Sequence, residues 1–239
     1  MNYMILLAGG IGSRTKLKIP KQYYEIDGES IINYLLKNIK DELDKIFVVC
    51  DLNYKNTITQ LPNVVFVKNG NTRLESLKNG IIELKKIAKD GDLIFIHEAA
   101  RALLDKRDLD LHKNNARINQ GLITNNVVFD TMFKINEEKE ILEVIQKQNI
   151  VAGYNPQSFY WDDLKKYKDD ILDEQRDLDL SEILIKKNFK IKVLEQISNL
   201  RKITIKEDYQ YSCLRTPTDR RAWQATAHGV SKGWTQLSD

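Results

Sequence analysis

The chain has 239 residues, with 37 basic and 34 acidic side chains and a formal net charge of +3. That length suits one α/β domain with a small appendage, and so balanced a charge excludes the strong single-sign field of a nucleic-acid or membrane-surface protein. Two cysteines, Cys50 and Cys213, are too few for a disulfide framework, no apolar run reaches membrane-spanning length and no signal-peptide pattern is visible, so the chain reads as cytoplasmic.

The first stretch is the most informative. A short apolar run, Met4 to Leu7, leads through Ala8 into Gly9, Gly10 and Gly12, followed by Arg14, and Ile19-Pro20-Lys21-Gln22 closes the segment. A strand that ends in a glycine-rich turn lets backbone N–H groups approach an anion closely, because no Cβ intervenes. Arg14 and Lys21 add positive charge to the same concavity, a combination that suits a polyphosphate; standing alone, each would read as a solvated surface cation. The stretch lacks the P-loop pattern and fails the dinucleotide fingerprint, since Arg14 stands where a small residue is required. A nucleotide held by backbone amides, Arg and Lys, with no base-like residue beside it, fits nucleotidyl transfer. In that chemistry an enzyme mainly positions the reactants and stabilises charge on the α-phosphate.

Further strand-like runs fall at Ile46–Cys50, Val64–Val67, Leu93–Ile96 and Leu122–Ile123, with helical periods at Ile31–Ile39, Leu74–Ala88 and Leu109–Ile118 between them. This alternation predicts a Rossmann-like, mostly parallel sheet with helices on both faces. The Gly9–Gly12 loop, the Asn69–Arg73 turn and the Glu98–Arg101 turn each follow an apolar run, so all three are placed at the carboxyl ends of strands, where ligands gather in such sheets. After Asn126 the rhythm changes. Val127–Ile135 and Glu140–Ile145 read as two strands around the polar turn Asn136-Glu-Glu-Lys139, which on its residues is an edge hairpin. Trp161–Tyr167 and Leu180–Lys187 read as helices, and Lys190–Leu194 as a strand. From Arg215 to Asp239 the sequence loses apolar periodicity and resembles translated repeat-element sequence. It reads as a non-native tail from a chimeric clone or altered frame, or else as an interaction tail, and the domain is placed at 1–214.

Leu7-Ala-Gly-Gly-Ile-Gly-Ser-Arg14 with Pro20-Lys-Gln22 resembles the signature loop of the polyol-phosphate cytidylyltransferases, the 2-C-methyl-D-erythritol 4-phosphate and ribitol 5-phosphate enzymes. Gly70-Asn-Thr-Arg73 with Ser76, Ile96-His-Glu-Ala-Ala-Arg101, Asp130-Thr131, Pro156-Gln157 and Lys202-Ile-Thr204 follow in family order. The resemblance runs from about Asn2 to Tyr211, and the ordered series is far more specific than any one member.

What the resemblance implies can be stated residue by residue. Ala8, Gly9, Gly10 and Gly12 would cradle the CTP phosphates. Arg14 would contact the triphosphate, and Lys21 and Lys202 would flank the α-phosphate as it becomes five-coordinate. Gly70, Asn71 and Ser76 would hold the cytosine ring, with Arg73 holding the segment or touching phosphate; Asn71 stands where the family often has an acidic residue. Glu98 replaces the family's Asp and would meet both a magnesium ion and the polyol phosphate, one methylene further out. Arg101 would pair with Glu98 or bind the acceptor, and Asp130, Thr131 and Lys147 would also serve the acceptor. His97 reads as buried against the sheet rather than as a metal ligand. The 127–150 region corresponds to an arm that crosses to a second subunit, so a homodimer is implied, with no nucleic-acid or membrane partner. Asn155, Leu178 and Leu200 depart from the family pattern, and with Glu98 most departures lie on the acceptor side. The loop form Ala-Gly-Gly-Ile-Gly-Ser leans toward ribitol 5-phosphate, with the methylerythritol acceptor as the runner-up. A homologue that binds nucleotide without turnover is the rival from another class.

Overall fold

A computed structural model describes residues 1–10, 19–26, 28–128 and 130–195, and of Ile26, Asn126 and Val127 the backbone alone. Gly12, Arg14, Lys202 and the 215–239 segment lie outside the described residues.

Seven strands form the central sheet: β1 (Asn2–Ala8), β4 (Lys45–Cys50), β5 (Val64–Lys68), β6 (Leu93–Glu98), β7 (Gln120–Val127), β10 (Val151–Tyr160) and β11 (Lys190–Glu195). Their spatial order is β11-β7-β10-β6-β1-β4-β5. Only β10 runs against its neighbours, antiparallel to both β6 and β7, so the sheet is mostly parallel as the alternation predicts. The central strands read as continuous apolar runs because both faces are covered. On one face Met4, Leu6, Ile46, Val48 and Phe95 pack against Ile32, Leu35, Leu36 and Ile39 of α1 (Ile31–Ile39) and Leu109 of α3 (Lys106–Asn115). On the other, Ile5, Val49, Ile94 and Phe159 pack against Leu74, Leu77 and Ile81 of α2 (Arg73–Leu84) and the short helices α4 (Trp161–Leu164), α5 (Lys168–Asp173) and α6 (Leu180–Lys186).

Local chemistry sets the helix starts. Ser30 caps α1, Thr72 caps α2, and Asp105 and Asp179 open α3 and α6 with reciprocal capping boxes to Asp108 and Glu182. The predicted Leu109–Ile118 helix therefore begins earlier, at Lys106, since apolar spacing marks a buried stripe while the cap marks the start. The predicted Leu74–Ala88 helix ends at Leu84 and continues as tight turns, with the Lys86 and Ile87 N–H groups bonding three residues back. The predicted Trp161–Tyr167 helix breaks after Leu164.

Two short strands, β2 (Glu25–Ile26) and β3 (Glu29–Ser30), lead into α1. The predicted Val127–Ile135 strand is two elements: β7 ends at Val127, and β8 (Met132–Ile135) pairs instead with β9 (Ile141–Ile145) in a separate two-stranded sheet. The polar turn between them is present, with Asn136 Oδ1 accepting from the Glu140 N–H at 2.8 Å and Lys139 at positive φ. Strand β10 had no counterpart in the sequence reading, because Pro156 interrupts it. The ladder with β7 shifts register between Tyr154 and Gln157, around Pro156, whose bond to Asn155 is cis. No described helix is long and apolar enough to cross a membrane.

Candidate active site

Four loops meet at one edge of the sheet. Leu7 pairs with Glu98 and Ala8 with Cys50, which sets the end of β1 between the ends of β6 and β4. The Asn69 N–H donates to the Cys50 carbonyl at 3.0 Å and draws the end of β5 alongside. The convergence of the three candidate loops is thus a property of the strand register.

Close approach explains the glycines. A Cβ at Gly9 would lie 2.5 Å from the Asn69 Cβ and would push the two loops apart, and one at Gly70 would lie only 2.2 Å from the Glu75 Cβ and would distort its own turn. The Gly70 turn is built from its own polar groups. Gly70 N–H donates to Ser76 Oγ at 3.1 Å, Asn71 N–H to Glu75 Oε2 at 2.6 Å, and Ser76 Oγ to the Thr72 carbonyl at 2.9 Å. The backbone of Asn71 and the hydroxyl of Ser76, assigned to the cytosine ring, therefore also shape the turn itself. Among the described residues, a Cβ at Gly10 would meet nothing within 4 Å.

Lys21 opens a single 3₁₀ turn, Lys21–Tyr23, immediately after Pro20. Gln22 laces this turn to the glycine loop, donating from Nε2 to the Ala8 carbonyl at 2.5 Å and the Gly10 carbonyl at 3.0 Å, while the Tyr23 hydroxyl donates to Ala8 at 3.2 Å. Lys21 is only 9 % exposed, so its charge acts where water screens it least. Tyr23 stacks on Tyr54 with ring centroids 4.3 Å apart, and burial pushes its phenol well above the ordinary value. Burial also pushes the Cys50 thiol up to about 11, which makes it the inert small core residue read from the sequence.

Beside these loops lies a cluster of charges. Arg73 spans it, donating from Nε to Glu98 Oε1 at 3.1 Å and pairing through Nη1 with Asp179 Oδ2 at 2.8 Å. Asp179 Oδ1 accepts from Gln157 Nε2 at 2.8 Å and from the Ser181 hydroxyl at 2.6 Å. Burial alone would raise the Asp179 carboxyl, but the Arg73 guanidinium and these hydrogen bonds outweigh it and hold the group below its ordinary value. Arg101 stands 3.8 Å from Glu98 Oε2, and its guanidinium lies over the Tyr154 ring at 4.1 Å. His97 is fully buried; its Nε2 is 2.9 Å from the Arg101 carbonyl, and burial lowers its pKa to about 4. A neutral His97 that donates from Nε2 braces the turn carrying Arg101.

A metal finds no carboxylate cage here. Among the described residues no group of three or more His, Cys, Asp or Glu is arranged to hold an ion, and Glu98 Oε1 is already engaged by Arg73. That donor set fits a cation carried mainly on phosphate oxygens, with Glu98 as its single protein contact.

The profile of the IspD family, 2-C-methyl-D-erythritol 4-phosphate cytidylyltransferase, matches residues 3–213. The chain belongs to this family. It is therefore a nucleotidyltransferase, and its relatives divide between two names. A ribitol-5-phosphate cytidylyltransferase of Streptococcus agalactiae is 25% identical over 221 residues, covering 87% of this chain and 92% of that one. A 2-C-methyl-D-erythritol 4-phosphate cytidylyltransferase of Petrotoga mobilis is 28% identical, covering 88% and 96%. The crystal structure of 2-C-methyl-D-erythritol 4-phosphate cytidylyltransferase from Francisella tularensis superposes with a TM-score of 0.72 at 27% identity, covering 88% of this chain and 97% of that one.

In this cytidylyltransferase the structure brings Ala8, Gly9, Gly10, Lys21, Gly70, Asn71, Arg73, Ser76, Glu98 and Arg101 to one sheet edge. Asp130, Thr131 and Lys147 are exposed and belong to the segment that carries the β8–β9 hairpin. Sequence reasoning left Gln22, Tyr154, Gln157 and Asp179 without roles. The Asp-x-x-Glu capping box at Asp179–Glu182 was a legible sign that Asp179 is anchored; nothing local marked Tyr154.

Proposed function

We propose that this enzyme transfers the cytidylyl group of CTP to the phosphate of a polyol phosphate and releases pyrophosphate, with ribitol 5-phosphate as the favoured acceptor. The observation that carries the reading is the lacing of a buried lysine to a glycine loop by Gln22, beside a turn that a side chain at Gly70 would disrupt. Such a cradle serves a triphosphate. An oxygen of the acceptor phosphate attacks the α-phosphorus; the new P–O bond forms as the α–β bridging P–O bond breaks, and its electron pair leaves on pyrophosphate. Lys21, with Arg14 and Lys202, stabilises the charge that accumulates on the α-phosphate, and its burial strengthens that effect. Magnesium, when bound with the triphosphate, supplies further neutralisation of the phosphate oxygens, and Glu98 is the residue that would meet it. Asp130 and Thr131 would meet the polyol.

The loop form Ala8-Gly-Gly-Ile-Gly-Ser13 and the Streptococcus relative support ribitol 5-phosphate. The family profile and the Petrotoga relative support the methylerythritol acceptor as the second reading. The hairpin supports a homodimer. Phe133, Ile135, Ile141 and Val144 share one of its faces, all of them 46 to 62 % exposed, while Lys134 and Glu143 pair across the other. An apolar row on a two-stranded ribbon calls for a cover, and a second copy would bring Lys147 to the neighbouring acceptor phosphate. That the family match ends at residue 213 supports reading 215–239 as a non-native tail.

The test is pyrophosphate release with CTP and magnesium against ribitol 5-phosphate, 2-C-methyl-D-erythritol 4-phosphate and no acceptor. Release with ribitol 5-phosphate alone is expected, release with the methylerythritol substrate alone selects the second reading, and CTP binding without release from either overturns both.

A further inference from the structure

His112 takes no part in the chemistry above, yet it is fully buried and fully engaged. It projects from α3 onto the sheet, with Nδ1 2.7 Å from Ser158 Oγ on β10 and Nε2 2.9 Å from Thr124 Oγ1 on β7. Thr124 Oγ1 also donates to the Pro156 carbonyl at 3.3 Å. A threonine hydroxyl has one hydrogen, and that bond uses it. With that bond made, Thr124 accepts from His112, an arrangement that favours the proton on Nε2 and leaves Nδ1 to accept from the Ser158 hydroxyl. Burial, reinforced by the neighbouring His97, pushes the ring's pKa down to about 3, so it stays neutral.

These bonds bracket one place in the sheet. Ser158 and the Pro156 carbonyl flank Gln157, and the register of β10 against β7 shifts between Tyr154 and Gln157. At one margin of this bulge Tyr154 lies under the Arg101 guanidinium; at the other Gln157 donates to Asp179, which holds Arg73 against Glu98. Both ends of the charged cluster are thus set by the same irregularity at Asn155 and Pro156, and a bulge without a second restraint tolerates sliding.

We propose that His112 is a positioning residue for this site, pegging the β10 bulge from the α3 face of the sheet so that Tyr154 and Gln157 hold Arg101 and Arg73 in place. The proposal rests on the cytidylyl-transfer reading for its kinetic consequence but not for its structural one. His112→Leu and Thr124→Val are compared with His112→Gln, which restores a side-chain donor, using enzyme labelled with ¹⁵N.

In the unaltered protein the ring nitrogens should show a protonated Nε2 and a bare Nδ1. In His112→Leu the Arg73 Nε–H signal should move and the KM for the polyol phosphate should rise about tenfold, the scale of one buried hydrogen bond lost. CTP affinity should be unchanged, and His112→Gln should recover most of the loss. A proton on Nδ1 overturns the proposal, as does a folded His112→Leu whose Arg73 signal and acceptor KM are those of the unaltered enzyme, or one that loses CTP affinity in equal measure. If His112→Leu fails to fold, Thr124→Val carries the same Arg73 readout, and an unmoved signal there overturns the proposal. An enzyme that turns over neither acceptor refutes the function proposed above, while the ring-nitrogen and Arg73 signals still decide this one.

Discussion

Arg73→Met tests the charged cluster most directly. The change keeps an unbranched apolar stem and removes an ionic hydrogen bond to Glu98 at 3.1 Å and an ion pair with Asp179 at 2.8 Å. A hydrogen bond to a charged group contributes about 1.5–3 kcal/mol. Arg73, Glu98 and Asp179 keep side-chain exposures of 27%, 12% and 29%, so solvent screens part of each bond, and halving the pair gives about 1.5–3 kcal/mol in total. For a domain of this size that lowers the melting temperature by about 3–12 °C. The acid dependence carries a second signature. Asp179 has a folded-state pKa below its ordinary 3.8, so its contribution to stability is complete above that value and fades as pH falls through the lowered folded pKa. Without Arg73 the depression shrinks, and with it the part of acid-induced destabilisation that Asp179 supplies. Thermal melts of both proteins between neutral and acid pH measure this directly. An Arg73→Met protein with unchanged melting temperature and unchanged acid sensitivity would refute the assignment of the cluster as an anchor. Acceptor KM should rise in the same variant.

Lys21→Ala should abolish pyrophosphate release while leaving the circular dichroism spectrum intact; full activity in the variant would remove Lys21 from the mechanism. Gly70→Ala places a Cβ 2.2 Å from that of Glu75 and should weaken CTP binding by displacing the turn, at a folding cost of about 1–3 kcal/mol; CTP titration and chemical denaturation report the two effects separately. Phe133→Asp on the exposed apolar row of the hairpin should convert a dimer to a monomer in sedimentation velocity, and a sedimentation coefficient unchanged from a dimeric parent would place the interface elsewhere. Cys50 should resist thiol reagents in the folded enzyme at neutral pH, because burial raises its pKa to about 11, and should react only on unfolding.

The half of the site built on β1 and β5 was legible because its instructions are local. Gly9 and Gly70 stand where neighbouring loops touch, and Lys21 and Gln22 follow one proline, so each piece can be read within a few residues. The sheet was legible for a related reason, since strands buried on both faces must be apolar throughout. Strand β10 was not. Its Pro156 reads as a strand breaker unless the bulge against β7 is known, and a bulge depends on a partner some thirty residues away. Arg101 over Tyr154 and Arg73 against Asp179 are likewise contacts between distant segments, with no spacing rule to announce them. The boundaries of β7 and β8 were missed because Val127 and Met132 both suit strands, and only the ladder shows that they serve different sheets.

The long-range half also holds residues that the resemblance reads as departures from the family pattern, and the structure gives them a common setting. Glu98, Asn155 and Leu178 lie on or beside one connected set of bonds, Arg101 to Glu98 to Arg73 to Asp179 to Gln157. Glu98 has one methylene more than an aspartate, and its carboxylate reaches the Nε of Arg73 while lying near Arg101. Asn155 lies within the bulge and presents a buried Oδ1 with no hydrogen-bond partner among the described residues. Residues joined in this way cannot vary independently, because removing one charge strands another in a half-buried setting. Glu98, Asn155 and Leu178 therefore belong to one coupled set. On that argument Glu98→Asp alone should lower activity rather than restore a family-like enzyme, since the shortened carboxylate gives up Arg73 without regaining its former neighbours. Activity undiminished by Glu98→Asp would mean that the cluster is merely adjacent to the acceptor and does not shape it.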